Sequence, residues 1–326
     1  MVRNWARDWT RITLALLALA GWGGVAGAQV PDRPVRIIVP FAPGGTSDIV
    51  ARVMAEGASA RLPRGVVVEN RSGAGGNIGA AEAARAAPDG TTLLQCAFGP
   101  CGANPALYAR PGYDLHELTG VILTGAVRNV MTVRKDLPAT TLAEVIAYGR
   151  SQPNGLTFAS SGVGASNHLG PELLRAKLGV AWTHVPYRGS APAITDLVGG
   201  RVDVFFDNLP SILPHIRAGS VRAIAVPAAE RVPELPDVPT FAEAGVPGVV
   251  IDSWFGFMAP AATPPATIAA LNAAFAGALA DPAVRARLQG LGVIPLGSTP
   301  EEMNIFVASE TARWAEVVRV AGIRAE

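Results

Sequence analysis

The chain has 326 residues, 27 of them basic and 26 acidic, and hydrophobic types make up 49%. So even a balance leaves no electrostatic footprint for nucleic acid, and low charge with abundant Ala, Val and Leu excludes a disordered chain. The length exceeds what one core usually fills, so two lobes are expected.

In chain order, the first segment reads as an export leader. Arg3, Arg7 and Arg11 precede an apolar stretch from Ile12 to Ala20, and Ala26-Gly27-Ala28 supplies the small residues a signal peptidase reads. Residues 1–28 are therefore expected to be removed by cleavage after Ala28. The apolar run is about half the roughly 20 residues of a membrane span, and Gly21, Gly23 and Gly24 interrupt its continuation. Three Arg and one Asp leave with it, so the counts become 24 basic and 25 acidic, a net of −1.

The mature chain opens with "VRIIVPFAPGGTSDIVARVMAEG". The run Val35 to Val39 predicts a strand, and Ile49, Val50, Val53 and Met54 recur at helical spacing after a small-residue loop. Asp48, or Ser47 before it, is placed to cap that helix. Gly44 and Gly45 leave backbone N–H groups facing open space, an arrangement that favours an anion. A strand through Val66 to Val68, a Gly-rich loop, an Ala-rich helix, a Pro-Asp-Gly turn and a strand through Leu93 and Leu94 follow. This alternation predicts a parallel sheet flanked by helices. Cys96 and Cys101 are near enough in sequence to close a small disulfide in an oxidising compartment, or they stand as two thiols beside a strand end; spacing does not choose.

Further on, Thr141 and Glu144 form a capping box before Leu142, Val145 and Ile146. "LTFASSGVGASNHLGPELLRAKLG" is a second strand, small-residue loop and helix. Pro171 is expected only near a first turn, which places the helix start close to Asn167. This unit echoes the opening one, since "PFAPGGTS" and "TFASSGVG" both put Phe-Ala at a strand end before a turn. Ligands of open α/β sheets sit beyond such ends. A loop with Tyr187 and Arg188, a helix from about Pro192 and a strand Val202 to Phe206 ending at Asp207 come next. Thr240 and Glu243 read as the capping box of a short helix stopped by Gly245. Ile268, Leu271, Phe275 and Leu279 mark a longer helix, and Thr299, Pro300 and Glu302 open the last one.

Several chemistries are looked for and not found. The opening loop has no Gly-x-x-x-x-Gly-Lys-Ser/Thr spacing, and "GAGGNIGA" puts Ile78 where a dinucleotide loop needs Gly. There is no Gly-x-Ser-x-Gly, and His116, His168, His184 and His215 are scattered without metal-ligand spacing. Neither a metal nor a cofactor is expected. Asp203 and Asp207, four apart on one strand, are read as a solvated strand end and a turn former. Thr46, Ser47, Ser160 and Ser161 have no evident base. They read either as helix caps or as a polar pocket that holds a carboxylate with neutral donors.

"PFAPGGTSD", "VVVENRSGAGGNIGA", "PDGTTLL", "NPALY", "SSGVGASNHL", "HVPYRG", "GRVDVFFDN", "RAIAV" and "LPDVPTFAEAG", in this order, resemble the Bug family, the periplasmic receptors of tripartite tricarboxylate transporters. The resemblance implies an α/β, two-lobed type II periplasmic binding fold with a mainly parallel sheet in each lobe and two chain crossings. Residues 29–128 and 252–326 would form one lobe and 129–251 the other. It also implies a carboxylate held in the cleft by backbone N–H groups, hydroxyls and waters. Carried onto this chain, the contacts are Phe41, Gly44, Gly45, Thr46 and Ser47 from one loop and Ser160, Ser161, Gly164 and Ser166 from the other. Asn77, His168, Tyr187 and Asp207 lie in other family motifs. Cys96 and Cys101 depart from many relatives and bear on the far pocket wall.

The expectation is a monomeric periplasmic receptor that binds a small organic carboxylate and passes it unchanged to membrane permease subunits. A dicarboxylate, an aromatic acid and an amino acid all stay open. Phe98, Tyr187, Trp254 and Phe255 are either lining for an aromatic acid or core, and the lack of an assured Arg clamp argues against a tricarboxylate. A receptor for a sensor kinase is the alternative that shares this pocket. An esterase is opposed by the missing nucleophile motif.

Overall fold

The computed structural model describes residues 31–325, so the leader and its cleavage site lie outside the described residues. The first half follows the expected rhythm: β1 (Val35–Val39), α1 (Thr46–Ser59), β2 (Val66–Asn70), α2 (Asn77–Ala84), β3 (Thr92–Ala97) and a short α3 (Asn104–Leu107). β4 (Leu118–Arg134) leads into the second unit. That unit has α4 (Leu142–Ser151), β5 (Leu156–Ser160), α5 (Ser166–Leu178), β6 (Trp182–Pro186), α6 (Ser190–Val198), β7 (Val204–Asn208), α7 (Leu209–Arg217) and β8 (Val221–Ala225). The chain returns through β9 (Asp252–Pro260), α8 (Pro265–Ala280), α9 (Pro282–Gly290), β10 (Val293–Pro295) and α10 (Pro300–Ala321).

The strands order as β2-β1-β3-β9-β4-β7-β5-β6, with β8 and β10 also pairing β4. β1 is parallel to β2 and β3, and β5 is parallel to β6 and β7, while β4 and β9 run antiparallel to their neighbours. The 17-residue β4 changes partner part-way: Leu118 to Arg128 pair with β9, and Asn129 to Val133 pair with β7. Arg128 and Asp252 face each other at this change and form an ion pair. A strand shared in this way ties two half-sheets into one structure.

Each half-sheet is covered on both faces. In the first, Ile37 and Val39 pack with Val50 and Met54 of α1 and Phe275 of α8, and the opposite face packs on Trp314 of α10. In the second, Phe158 and Phe206 face Leu142, Val145 and Leu174, while Phe205 faces Ile194 and Ile212. Each such side chain contributes about 1.5–3 kcal/mol on burial. Among the described residues no single helix is long and apolar enough to cross a membrane.

Two local expectations change. The helix α5 begins at Ser166, next to Asn167 as expected, but Pro171 stands in its second turn and not its first, and the helix forgoes the bond from residue 171 to Asn167. Thr240 and Glu243 do exchange capping hydrogen bonds, but Gly245 ends the segment after a single turn, too short for a helix. Cys96 and Cys101 are joined as a disulfide.

Candidate ligand-binding site

The carboxyl ends of β1, β3, β5 and β7, the loop after β6 and the start of antiparallel β9 meet at one cavity between the half-sheets. Its empty space, counted with its opening to solvent, is about 370 Å³. The lining is of two kinds. Gly45, Thr46, Ser47, Ser161, Ser166, Ser190 and Asn208 are small or polar, and Phe41, Ala97, Phe98 and Phe255 are apolar. Gly99, Ala165 and Ser253 complete it, and no lining residue carries a charge.

Four helices start at this cavity, and none is capped by a side chain. Gly45, Ala165 and Gly189 precede α1, α5 and α6 and have no side-chain acceptor to offer. Asn208 precedes α7 but takes the Ser166 hydroxyl at 3.4 Å instead. The first-turn N–H groups that no side chain caps give each helix start about half a positive charge, although Pro192 in α6 and Pro210 in α7 supply no N–H. A small anion is the species such a set of starts stabilises.

Nearby ionisable groups do not add a cation. The rings of His168 and His184 lie 4.3 Å apart between centres, tilted by 33°; burial lowers His168 to about 3 and His184 to about 4, so both are neutral near pH 7. Asp207 is fully buried and burial raises it to about 6, against hydrogen bonds from Ser211 at 2.5 Å, Ser190 at 2.7 Å and Asn167 at 3.2 Å. Burial of Asp48 acts to raise it as well, but bonds from Arg52, the Gly44 amide and Asn70 outweigh this and hold it low. Asp48 therefore bonds back to Gly44 and stabilises the loop, and neither it nor Ser47 is the N-cap.

Six of the expected contacts line the cavity: Phe41, Gly45, Thr46, Ser47, Ser161 and Ser166. The others are placed around it. Gly44, at φ +83°, turns its N–H to Asp48. The Ser160 hydroxyl meets His184 Nε2 at 2.7 Å in the interior, and His168 Nδ1 accepts the Gly164 N–H at 3.2 Å. Gly164 itself, at φ +89°, lets the halves approach, since a Cβ there would stand 1.9 Å from Asn104 Oδ1. Asn77 accepts from Asn104 at 2.6 Å, and Tyr187 donates to Asp196 at 2.7 Å, its hydroxyl pushed up to about 12 by burial and that carboxylate. Asp207 is neither a turn former nor solvated; it lies behind Ser190.

The two halves touch across the cavity. The Ala42 N–H donates to the Arg188 carbonyl at 2.9 Å, Tyr108 to the Val163 carbonyl at 3.1 Å, and Thr46 Oγ1 lies 2.9 Å from Ser211 Oγ. When Asp207 is ionised it accepts a hydrogen bond from the Ser211 hydroxyl, so Thr46 is the donor of the last pair.

The model of the tripartite tricarboxylate transporter family receptor matches residues 50–323. The chain belongs to this family. BugT of Bordetella pertussis is 39% identical over 311 residues, covering 94% of this chain and 95% of its own. An R. palustris protein solved with adipate is 40% identical, with a TM-score of 0.87 over 91% of this chain and 99% of its own. MatC from Rhodopseudomonas palustris with bound malate is 38% identical, with a TM-score of 0.83 over 88% and 99%.

In this family member, Ala97, Gly99, Ala165, Ser190, Asn208 and Ser253 line the cavity without having been expected from the sequence, while Phe98 and Phe255 are lining as well as core. Ser190 had a local signal. Gly189-Ser190 repeats the small-residue step before a helix seen at Gly45-Thr46 and Ala165-Ser166.

Proposed function

We propose that this chain is a periplasmic receptor that encloses a small organic carboxylate between its two half-sheets and passes it unchanged to a membrane permease. The observation that carries this reading is the convergence of four uncapped helix starts on a cavity with no charged lining. The relatives solved with adipate and malate support the ligand class. The partner change at Arg128 and Asn129 supports lobes of residues 29–128 with 252–326 and of 129–251, moving about that junction. Binding without turnover is supported by Ser160: it has a histidine partner, but it is fully buried and does not reach the cavity. Export of a monomer by cleavage after Ala28 completes the proposal.

The test is thermal unfolding of the chain from Gln29 against a panel of carboxylic acids. A ligand at a hundred times its Kd stabilises by about 2.7 kcal/mol, a shift of a few degrees. One strong hit is expected. A folded, ligand-free protein that no acid shifts contradicts the proposal.

A further inference from the structure

The polar lining explains how a carboxylate is held, but not which acid. Of the large apolar residues in the cavity wall, Phe255 lies within β9 and Phe41 stands two residues past the end of β1, and both belong to the core cluster that packs on α1 and α8. Phe98 is different. It lies just past the end of β3, where the chain enters a π-helical turn over Gly99–Ala103. That turn holds Gly99 and Gly102, so the backbone alone gives little rigidity.

What fixes the segment comes from outside it. The Cys96–Cys101 disulfide ties the strand residue before Phe98 to the turn after it, with Cα atoms 5.7 Å apart. The Phe98 ring meets Trp314 edge-on at 4.5 Å between centres. Trp314 and Trp254 both donate their indole N–H to Glu310 Oε2, at 3.2 and 2.9 Å. Thr311 donates to the Cys101 carbonyl at 3.2 Å, and Tyr113 donates to the Pro100 carbonyl. Phe98 is 2% exposed and still lines the cavity. A wall residue discriminates by size only when it cannot turn aside, and this one is braced from both sides.

We propose that Phe98, held in place by the Cys96–Cys101 disulfide and Trp314, sets the length of the acid that the cavity accepts. Phe98 is the specificity-determining residue and the disulfide its positioning element. The inference rests on the carboxylate reading of the site.

The test is calorimetric titration of the mature chain with unbranched dicarboxylates from succinate to suberate. The wild type prefers one length and loses about tenfold in affinity for the next longer acid. Phe98→Ala moves the preference to a longer acid, and Phe98→Leu keeps the wild-type preference. The Cys96→Ala/Cys101→Ala double variant keeps the preferred acid but discriminates less than about threefold against the next. Unchanged ranking in Phe98→Ala, beside a selective wild type, overturns this inference and leaves the site reading standing. Undiminished discrimination in a folded double variant overturns the role of the disulfide, and if that variant does not fold, Phe98→Ala decides. A wild-type chain that binds none of the series, nor any other acid, overturns the site reading and this inference with it.

Discussion

Helices that start at the cavity and helices that start away from it are built differently. α4 and α10 begin with complete capping boxes from Thr141 with Glu144 and from Thr299 with Glu302, and α9 begins with Asp281 accepting from the Ala283 N–H. α1, α5, α6 and α7, all at the cavity, have no side-chain cap. The division is not absolute, because α2, α3 and α8 also lack one, and a proline removes one unmatched donor both in remote α8, at Pro265, and in cavity helix α7, at Pro210. A side-chain cap is worth about 1 kcal/mol. Withholding it at four converging starts leaves donors for a ligand to satisfy, so stability is forgone where binding uses the same groups.

Supplying the missing caps should have the largest effect on binding. Gly45→Asp puts a carboxylate at the start of α1, where the backbone, at φ −83° and ψ 170°, accepts any residue. The variant is expected to unfold slightly hotter yet lose more than about a hundredfold in ligand affinity, through self-capping and like-charge repulsion. Ala165→Asp acts in the same direction at α5. Melting curves and titrations on the same samples check both, and an unchanged Kd refutes the assignment of these starts to the ligand.

The two buried carboxylates of the site sharpen the contrast between the halves. Asp207 lies at about 6, above its ordinary 3.8, so the stability it contributes is present below that lower value and is lost as pH rises through about 6. Asp48, held below its ordinary value, has the opposite sign: its contribution is present above 3.8 and is lost as pH falls through its folded value. Relative to Asp207→Asn, the wild type should lose stability between about pH 4 and pH 6 and then level off. Melting temperatures of both proteins across this range decide the point, and a constant difference shows that Asp207 does not titrate there.

Smaller effects are expected at the closing contacts and at the remote caps. Thr46→Val removes the hydrogen bond to Ser211 and should weaken ligand binding by about fivefold, read by titration. Thr141→Ala and Thr299→Ala should each cost about 1 kcal/mol in denaturant unfolding with no change in Kd. A change in Kd at either would mean that capping away from the cavity is not separate from binding.

What was legible in the sequence was local. The strand Val35–Val39, the boxes at Thr141 and Thr299, and the loops around Gly45 and Ser161 depend on a few neighbouring residues, and the structure has them where the patterns place them. The rest of the cavity depends on strand order. Ser253 reaches the cavity only because β9 inserts antiparallel between β3 and β4, a pairing no local pattern announces. Asn208 and Ser190 were hidden because the structured segments begin or end a residue or two from the expected places. Asp207 was misread because four-residue spacing on a strand fixes a face but not whether that face is buried. The cysteine spacing permitted a disulfide, and only the folded turn brings the two side chains together.

Unmatched helix amides, and no side-chain cation, hold the carboxylate in the proposed site. Calorimetric titration of the mature chain with its best acid and with that acid's neutral amide tests this most directly. The amide is expected to bind at least about a hundredfold more weakly, a loss of about 2.7 kcal/mol. Equal affinity for acid and amide would contradict it, because the four helix starts would then not be recognising charge.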